Sequence, residues 1–262
     1  MNNNNIFKGK KLFVLDMDGT FYLDTTLIDG ANDFLEKIKE KGYDFLFFTN
    51  NSSKSLVDYE KKLKKLNVVA TKEQIFSSGD VTISFLKRER KGKKVYVIGT
   101  PSLIRGFVDS GIEINEEEPD IVVLGFDTTL TYEKIEKGCR FIRNGAEFIA
   151  THPDTNCPTK NGLIPDTGAM IEMFKTSTGV EPLIMGKPFL HTIKAIEEKT
   201  NISRENIVCV GDRLKTDIAL AINHGMMGVL VLTGATTKKI LSKSDIKPSL
   251  VIDSIKDLIK II

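Results

Sequence analysis

Lys11–Tyr22 reads KLFVLDMDGTFY, and the fold turns on how this stretch is read. Four apolar residues, Leu12 to Leu15, run straight into Asp16-Met17-Asp18-Gly19-Thr20. A short continuous apolar run suits a strand buried on both faces, as in a parallel sheet. The two carboxylates stand at i and i+2, where that strand ends, and open α/β sheets bind ligands outside the carboxyl ends of their strands. Gly19 permits a sharp turn or a close approach to a ligand. Two acids, a turn and a mouth position are the ingredients of a metal-assisted site for phosphate chemistry. The plain alternative is a strand ending in an Asx-type turn with both acids solvated. A D-x-D-x-T pattern arises by chance in a chain this long about one time in twenty, and four preceding apolar residues lower that to roughly one in five hundred. That rarity favours the site.

The same rhythm recurs along the chain. Asn32 to Lys41 patterns as a helix with Phe34, Leu35 and Ile38 on one face and Gly42 as its stop. Phe45 to Phe48 is a second apolar run, ending in Thr49-Asn50-Asn51-Ser52-Ser53. The helix expected over Lys54 to Leu66 buries Leu56, Leu63 and Leu66, which leaves Lys61, Lys62, Lys64 and Lys65 as a solvated face. From Asp80 the alternation restarts: strands over Val95–Ile98, Ile121–Leu124 and Phe148–Ala150, and helices over Val81–Arg90, Tyr132–Arg143 and Gly168–Thr178. Thr151 to Asp166, rich in Pro, Asn, Thr and Gly, is expected to be an irregular loop. The last third returns to the first pattern. Gly186-Lys187-Pro188 follows one apolar run, Gly211-Asp212 follows the Ile207–Val210 strand, and helices are expected over Asp217–Asn223 and Ile255–Ile261.

The strand ends thus present Asp16 and Asp18, Thr49 and Asn50, Lys187, and Asp212. Each has a dull explanation alone: Thr49 and Asn50 as cap and turn, Lys187 as an exposed loop lysine, Asp212 as a turn residue, Asp217 as an N-cap. Together they supply what phosphoryl transfer needs. Three carboxylates suit a hard divalent cation such as Mg²⁺. One can be a nucleophile and a second an acid/base, and a hydroxyl and a lysine can hold the phosphoryl oxygens.

Bulk properties narrow the class. The chain has 262 residues, 41% hydrophobic, with 37 Lys+Arg against 35 Asp+Glu. A net charge of +2 argues against a partner that is a nucleic acid polymer. Cys139, Cys157 and Cys209 form neither a disulfide framework nor a metal pair, which suits a reducing cytoplasm. No apolar run approaches a membrane span, no signal-peptide form precedes the first strand, and Asn2–Asn5 is expected to be a frayed, solvated end.

In order and spread, DMDGT, FFTNNS, GKP and GDRLKTD resemble the four motifs of the haloacid dehalogenase (HAD) superfamily. The long insert between the second and third resembles the α/β cap of its class IIA, NagD-like and 4-nitrophenylphosphatase-like phosphatases. The resemblance implies an α/β fold: a Rossmann-like parallel-sheet core over residues 1–79 and 184–262, with an inserted C2-type α/β cap over 80–183. It implies Asp16 as nucleophile forming an aspartyl-phosphate, and Asp18 as acid then base. Thr49, the backbone of Asn50 and Asn51, and Lys187 would hold the phosphoryl group. Mg²⁺ would be held by Asp16, the main-chain oxygen of Asp18, and Asp212, with Asp217 in support. Because Asp18 is present, hydrolysis of a small soluble phosphate ester is favoured over carbon–halogen cleavage. The loop Thr151–Asp166, with His152, Asp154 and Lys160, is expected to read the rest of the substrate. A phosphotransferase or mutase, or a catalytically idle binding protein, remains an alternative, and a monomer or homodimer is expected.

Overall fold

Leu12–Leu15 is a strand with all four side chains buried. Burial on this scale contributes roughly 1.5–3 kcal/mol per large side chain before conformational costs. Such a strand must be flanked on both edges and covered on both faces. In the computed structural model, which describes residues 6–159 and 161–262, it lies inside a six-stranded sheet. The strand order is Leu250–Ile252, Met227–Val231, Ile207–Gly211, Leu12–Leu15, Asp44–Thr49, Ile75–Ser77. Leu15 pairs in parallel register with Val210 on one side and Phe47 on the other. From this strand the sheet extends one way with the early chain and the other way with the late chain. That reversal is the topological switch point, where a crevice opens beyond the strand ends. Phe13 packs edge-on against Phe34 and Tyr43, and Phe21 against Phe47; Phe13 and Phe47 share one face of the sheet, which these rings cover. The helix Ala31–Glu40 buries Ala31, Phe34, Leu35 and Ile38, and Gly42 follows it at φ +77°.

The chain divides into two compact units. The sheet just described belongs to the unit made of the residues up to Thr49, Glu60–Phe76 and Ile196–Ile262. The second comprises Asn50–Tyr59 and Ser77–Ala195. It has its own four-stranded sheet in the order Leu183–Ile184, Glu147–Ala150, Ile121–Leu124, Val95–Ile98, all parallel. The helices Tyr132–Arg143 and Thr167–Thr178 contribute Phe141, Ile142, Ile171 and Phe174 to a core with Ile98, Val122, Leu124 and Phe148. Each unit therefore has the strand–helix alternation and parallel sheet expected of an α/β chain.

Three local readings are corrected. Asn156–Thr159 and Gly162–Pro165 form an antiparallel hairpin where an irregular loop is expected. Leu163 is 70% exposed, so the hairpin has no buried face to impose a two-residue hydrophobic period. The helix expected from Asp217 begins earlier, as a π-helical turn over Leu214–Ile218 leading into Ala219–Asn223. Asp217 is thus inside a turn and is no N-cap. The terminal helix is a 3₁₀ segment, Ile255–Lys260. The Asn2–Asn5 tract and Lys160 lie outside the described residues. Among those described, no helix is long and apolar enough to cross a membrane.

Candidate active site

Asp16 is the first residue past its strand, and its N–H still donates to Val210 O at 2.9 Å, continuing the ladder. The chain then turns back: Phe21 N–H reaches Met17 O at 2.9 Å, and Gly19 N–H reaches Tyr22 O at 2.8 Å. Gly19 sits at φ +90°, and a Cβ there would lie 2.6 Å from Asp212 Oδ2. This position therefore admits only glycine on both backbone and steric grounds. Thr233 Oγ1 donates to Gly19 O at 2.6 Å, pinning the turn to the segment that follows the Met227–Val231 strand, two places along the sheet.

Asp212 follows the Ile207–Gly211 strand and is 2% exposed. Its Oδ2 accepts from Ala235 N–H at 2.6 Å. Thr20, fully buried, directs its hydroxyl toward Asp16 Oδ2 at 3.4 Å and Asp212 Oδ1 at 3.5 Å. Asp217 is 3% exposed, and its Oδ2 accepts from Arg213 N–H at 3.1 Å. Its carboxylate turns back toward the strand end because it stands in the widened π turn, a distortion common at functional sites.

Asp16, Asp212 and Asp217 each offer a carboxylate oxygen within 4.8 Å of the others. Three acids this close, two of them buried, repel one another unless a cation compensates. An all-oxygen, hard donor set fits a cation of the Mg²⁺ type better than a softer metal. The acid cluster could therefore hold a metal.

Asp18 stands apart, its side chain 48% exposed. Lys62 Nζ lies 3.9 Å from Asp18 Oδ2 and 3.9 Å above the Tyr22 ring. The solvated lysine face expected on this helix thus loses Lys62, whose stem folds over an aromatic ring and whose charge faces the strand mouth. Thr49, 9% exposed, is the last residue of its own strand.

The remaining candidates lie in the second unit. Lys187 is 4% exposed, and Asn50 5%. Asn50 Oδ1 accepts from Lys187 N–H at 2.8 Å, while Nδ2 donates to Lys187 O at 3.1 Å and to Asp154 Oδ2 at 3.2 Å. Asn51 Oδ1 accepts from Ser53 N–H and Oγ, and its carbonyl accepts from the Tyr59 hydroxyl at 2.8 Å. His152, expected to face substrate, has no exposed surface. Its Nε2 meets Asp166 Oδ1 at 2.9 Å, and its Nδ1 meets Thr151 Oγ1 at 3.0 Å and Ser78 Oγ at 3.2 Å. The expectation of a substrate contact is corrected: both ring nitrogens are committed inside the unit. A Ser–His–Asp sequence of contacts is present here, but it is sealed from any substrate, unlike a nucleophilic triad.

Thr20, Lys62, Ser78 and Asp166 had no assigned role on sequence grounds. Asp166 had a readable signal, since it N-caps Thr167–Thr178 through Thr167 N–H at 2.6 Å. Thr20 stood inside the quoted motif. Lys62 had no signal separating it from its neighbours.

Known proteins match this chain over most of its length. The family model described as haloacid dehalogenase-like hydrolase matches residues 13–113, and a HAD-hydrolase-like model matches residues 184–258. The 5′-nucleotidase YutF of Bacillus subtilis is 36% identical over 252 residues, covering 96% of this chain and 98% of that protein. An acid sugar phosphatase of Staphylococcus aureus is 36% identical over 253 residues, 96% of each chain. The crystal structure of a 4-nitrophenylphosphatase from Thermotoga maritima superposes with a TM-score of 0.93 at 45% identity, covering 97% of this chain and 98% of that one.

Proposed function

Because the chain belongs to the haloacid dehalogenase-like hydrolases and is a phosphatase of that type, we propose that it hydrolyses small soluble phosphate monoesters through an aspartyl-phosphate on Asp16. The observation that carries this reading is the Asp16–Asp212–Asp217 cluster at the switch point, with Asp18 two residues beyond the nucleophile. The Asp16 carboxylate attacks phosphorus while Asp18 gives its proton to the departing alkoxide. Asp18, now a carboxylate, takes a proton from water; that water attacks the acyl phosphate, releasing phosphate and regenerating Asp16. Thr49, the backbone of Asn50 and Asn51, and Lys187 hold the phosphoryl oxygens in this scheme.

Mg²⁺ is the proposed cation, held by Asp16, the main-chain oxygen of Asp18 and Asp212 with Asp217 in support; when bound it neutralises phosphoryl charge. Residues 1–79 and 184–262 are the proposed catalytic core, and 80–183 the proposed cap. The substrate class follows the relatives' names: sugar phosphates and nucleotides, both soluble, both carrying a phosphomonoester. The proposed setting is cytoplasmic, as a monomer or homodimer.

The test is release of inorganic phosphate from 4-nitrophenyl phosphate with no added acceptor, with and without chelator. Asp16→Asn should abolish turnover, since an amide cannot serve as the attacking group. Near-normal release by that variant would overturn the mechanism. Release that depends on an added alcohol would point to a phosphotransferase.

A further inference from the structure

We infer that the Asn50 side chain, oriented by Asp154, is a positioning residue for Lys187. This rests on the reading of Lys187 as a phosphoryl-binding group. The Asn50 amide pairs with both backbone groups of Lys187: its oxygen with the N–H at 2.8 Å, its nitrogen with the carbonyl at 3.1 Å. Two-point pairing of this kind fixes a peptide as a strand neighbour would, and it sets the direction in which the Lys187 side chain leaves the backbone. With Lys187 only 4% exposed, few rotamers remain to it.

The amide has one workable orientation. On its nitrogen side stand two acceptors, Lys187 O and Asp154 Oδ2; on its oxygen side stands one donor, Lys187 N–H. Rotating the amide by half a turn would face oxygen to two acceptors and nitrogen to a donor. Asp154 therefore reinforces, with a second and charged acceptor, the orientation that grips Lys187. The approach of the two loops is equally constrained: at Gly186, φ +45°, a Cβ would lie 2.9 Å from Asn50 Oδ1 and 2.7 Å from Thr151 O.

Asn50 is itself anchored from behind. Its carbonyl accepts from Ser78 Oγ at 2.5 Å, Ser78 Oγ meets His152 Nδ1, and His152 Nε2 meets Asp166. The buried chain Asp166–His152–Ser78–Asn50 ends on Lys187 and never reaches the surface at His152. Asp154 and His152, on this reading, act on the group common to all phosphate esters and not on the part that distinguishes them.

A double-mutant cycle tests this. kcat/KM is measured for Asn50→Ala, Lys187→Met and the double variant on 4-nitrophenyl phosphate, a sugar phosphate and a nucleoside monophosphate. Asn50→Ala should lose about 10²-fold, the scale of removing one preorganised oxyanion donor, and by the same factor on every ester. In the Lys187→Met background the same change should cost under about threefold, because residues acting as one unit are not additive. Asp154→Ala, a milder variant should Asn50→Ala fold poorly, should lose about tenfold uniformly, the worth of one hydrogen bond to a charged group. Asp154→Asn, whose carbonyl oxygen still accepts from the amide, should recover that loss. A full loss from Asn50→Ala in the Lys187→Met background would overturn the positioning role, as would losses that differ between esters. Near-normal activity of Lys187→Met alone would overturn the assignment of Lys187 on which the inference rests.

Discussion

Asp212→Asn should raise the melting temperature of the cation-free protein while removing its response to Mg²⁺. The cluster brings oxygens of Asp16, Asp212 and Asp217 within 4.8 Å, and at an effective dielectric of about 20 each pair of unit charges repels by at least ~3.5 kcal/mol. The pair with Asp217 is buried and keeps most of that value. The pair with the partly buried Asp16 is screened to about 1 kcal/mol. Against this relief stand weakened hydrogen bonds from Ala235 N–H to Oδ2 and, longer, from Thr20 Oγ1 to Oδ1. Ala235 N–H donates to Asp212 Oδ2 at 2.6 Å, and replacing a charged acceptor by a neutral one costs about 1–1.5 kcal/mol. The asparagine oxygen must take that position, so its NH₂ faces the place a cation would occupy. The net gain is about 2–3 kcal/mol, or roughly 5–10 °C for a chain of this size. Thermal melts of wild type and variant, in chelator and in Mg²⁺, provide the readout. A variant that melts below wild type in chelator would refute the repulsion. A variant whose melting point climbs with Mg²⁺ as the wild type's does would refute the ligand assignment.

Gly19→Ala should lower kcat/KM on 4-nitrophenyl phosphate by about 10²-fold, because the new Cβ displaces the Asp212 carboxylate it would meet at 2.6 Å. An unchanged rate would show that the turn yields without disturbing Asp212. Glu197 is held below its ordinary 4.5 by the side-chain hydrogen bonds of Arg204, at 2.9 and 2.7 Å. A depressed folded-state value means the pair stabilises above the unfolded pKa, and the contribution disappears as pH falls through the folded one. Glu197→Gln should therefore flatten the acid limb of the stability curve below about pH 4.5; an unaltered acid limb would contradict the pairing.

The sequence is most legible where local pattern and global role coincide. Leu12–Leu15 is buried on both faces, so its apolar run announces both a strand and its central place, and the acids after it announce the mouth. Tyr132–Arg143 shows its helical period because one face packs against the second unit's sheet. What was not legible depends on partners distant in the chain. The burial of His152 is decided by Ser78 and Asp166, 74 and 14 positions away, and no local property of a histidine after a strand reveals it. Lys62 differs from Lys61 and Lys64 only in the ring and the carboxylate beneath it. The π turn at Asp217 inserts one residue into a pattern that an α-helical period cannot represent.

The place of Leu12–Leu15 beside Ile207–Gly211 has a consequence for how the protein is made. Thr20 and Asp212, which share a hydrogen bond, are 192 positions apart. At about 5–20 residues per second, a ribosome needs roughly 10–40 s to bring the second after the first. Throughout that interval the Leu12–Leu15 strand has been synthesised but lacks one lateral neighbour, and the acid cluster lacks two of its three members. The nascent chain therefore cannot assemble the acid cluster, and it carries an unpaired, fully apolar strand edge that a chaperone could cover. Closure of the sheet by the last third of the chain is the event that both ends this exposure and completes the site.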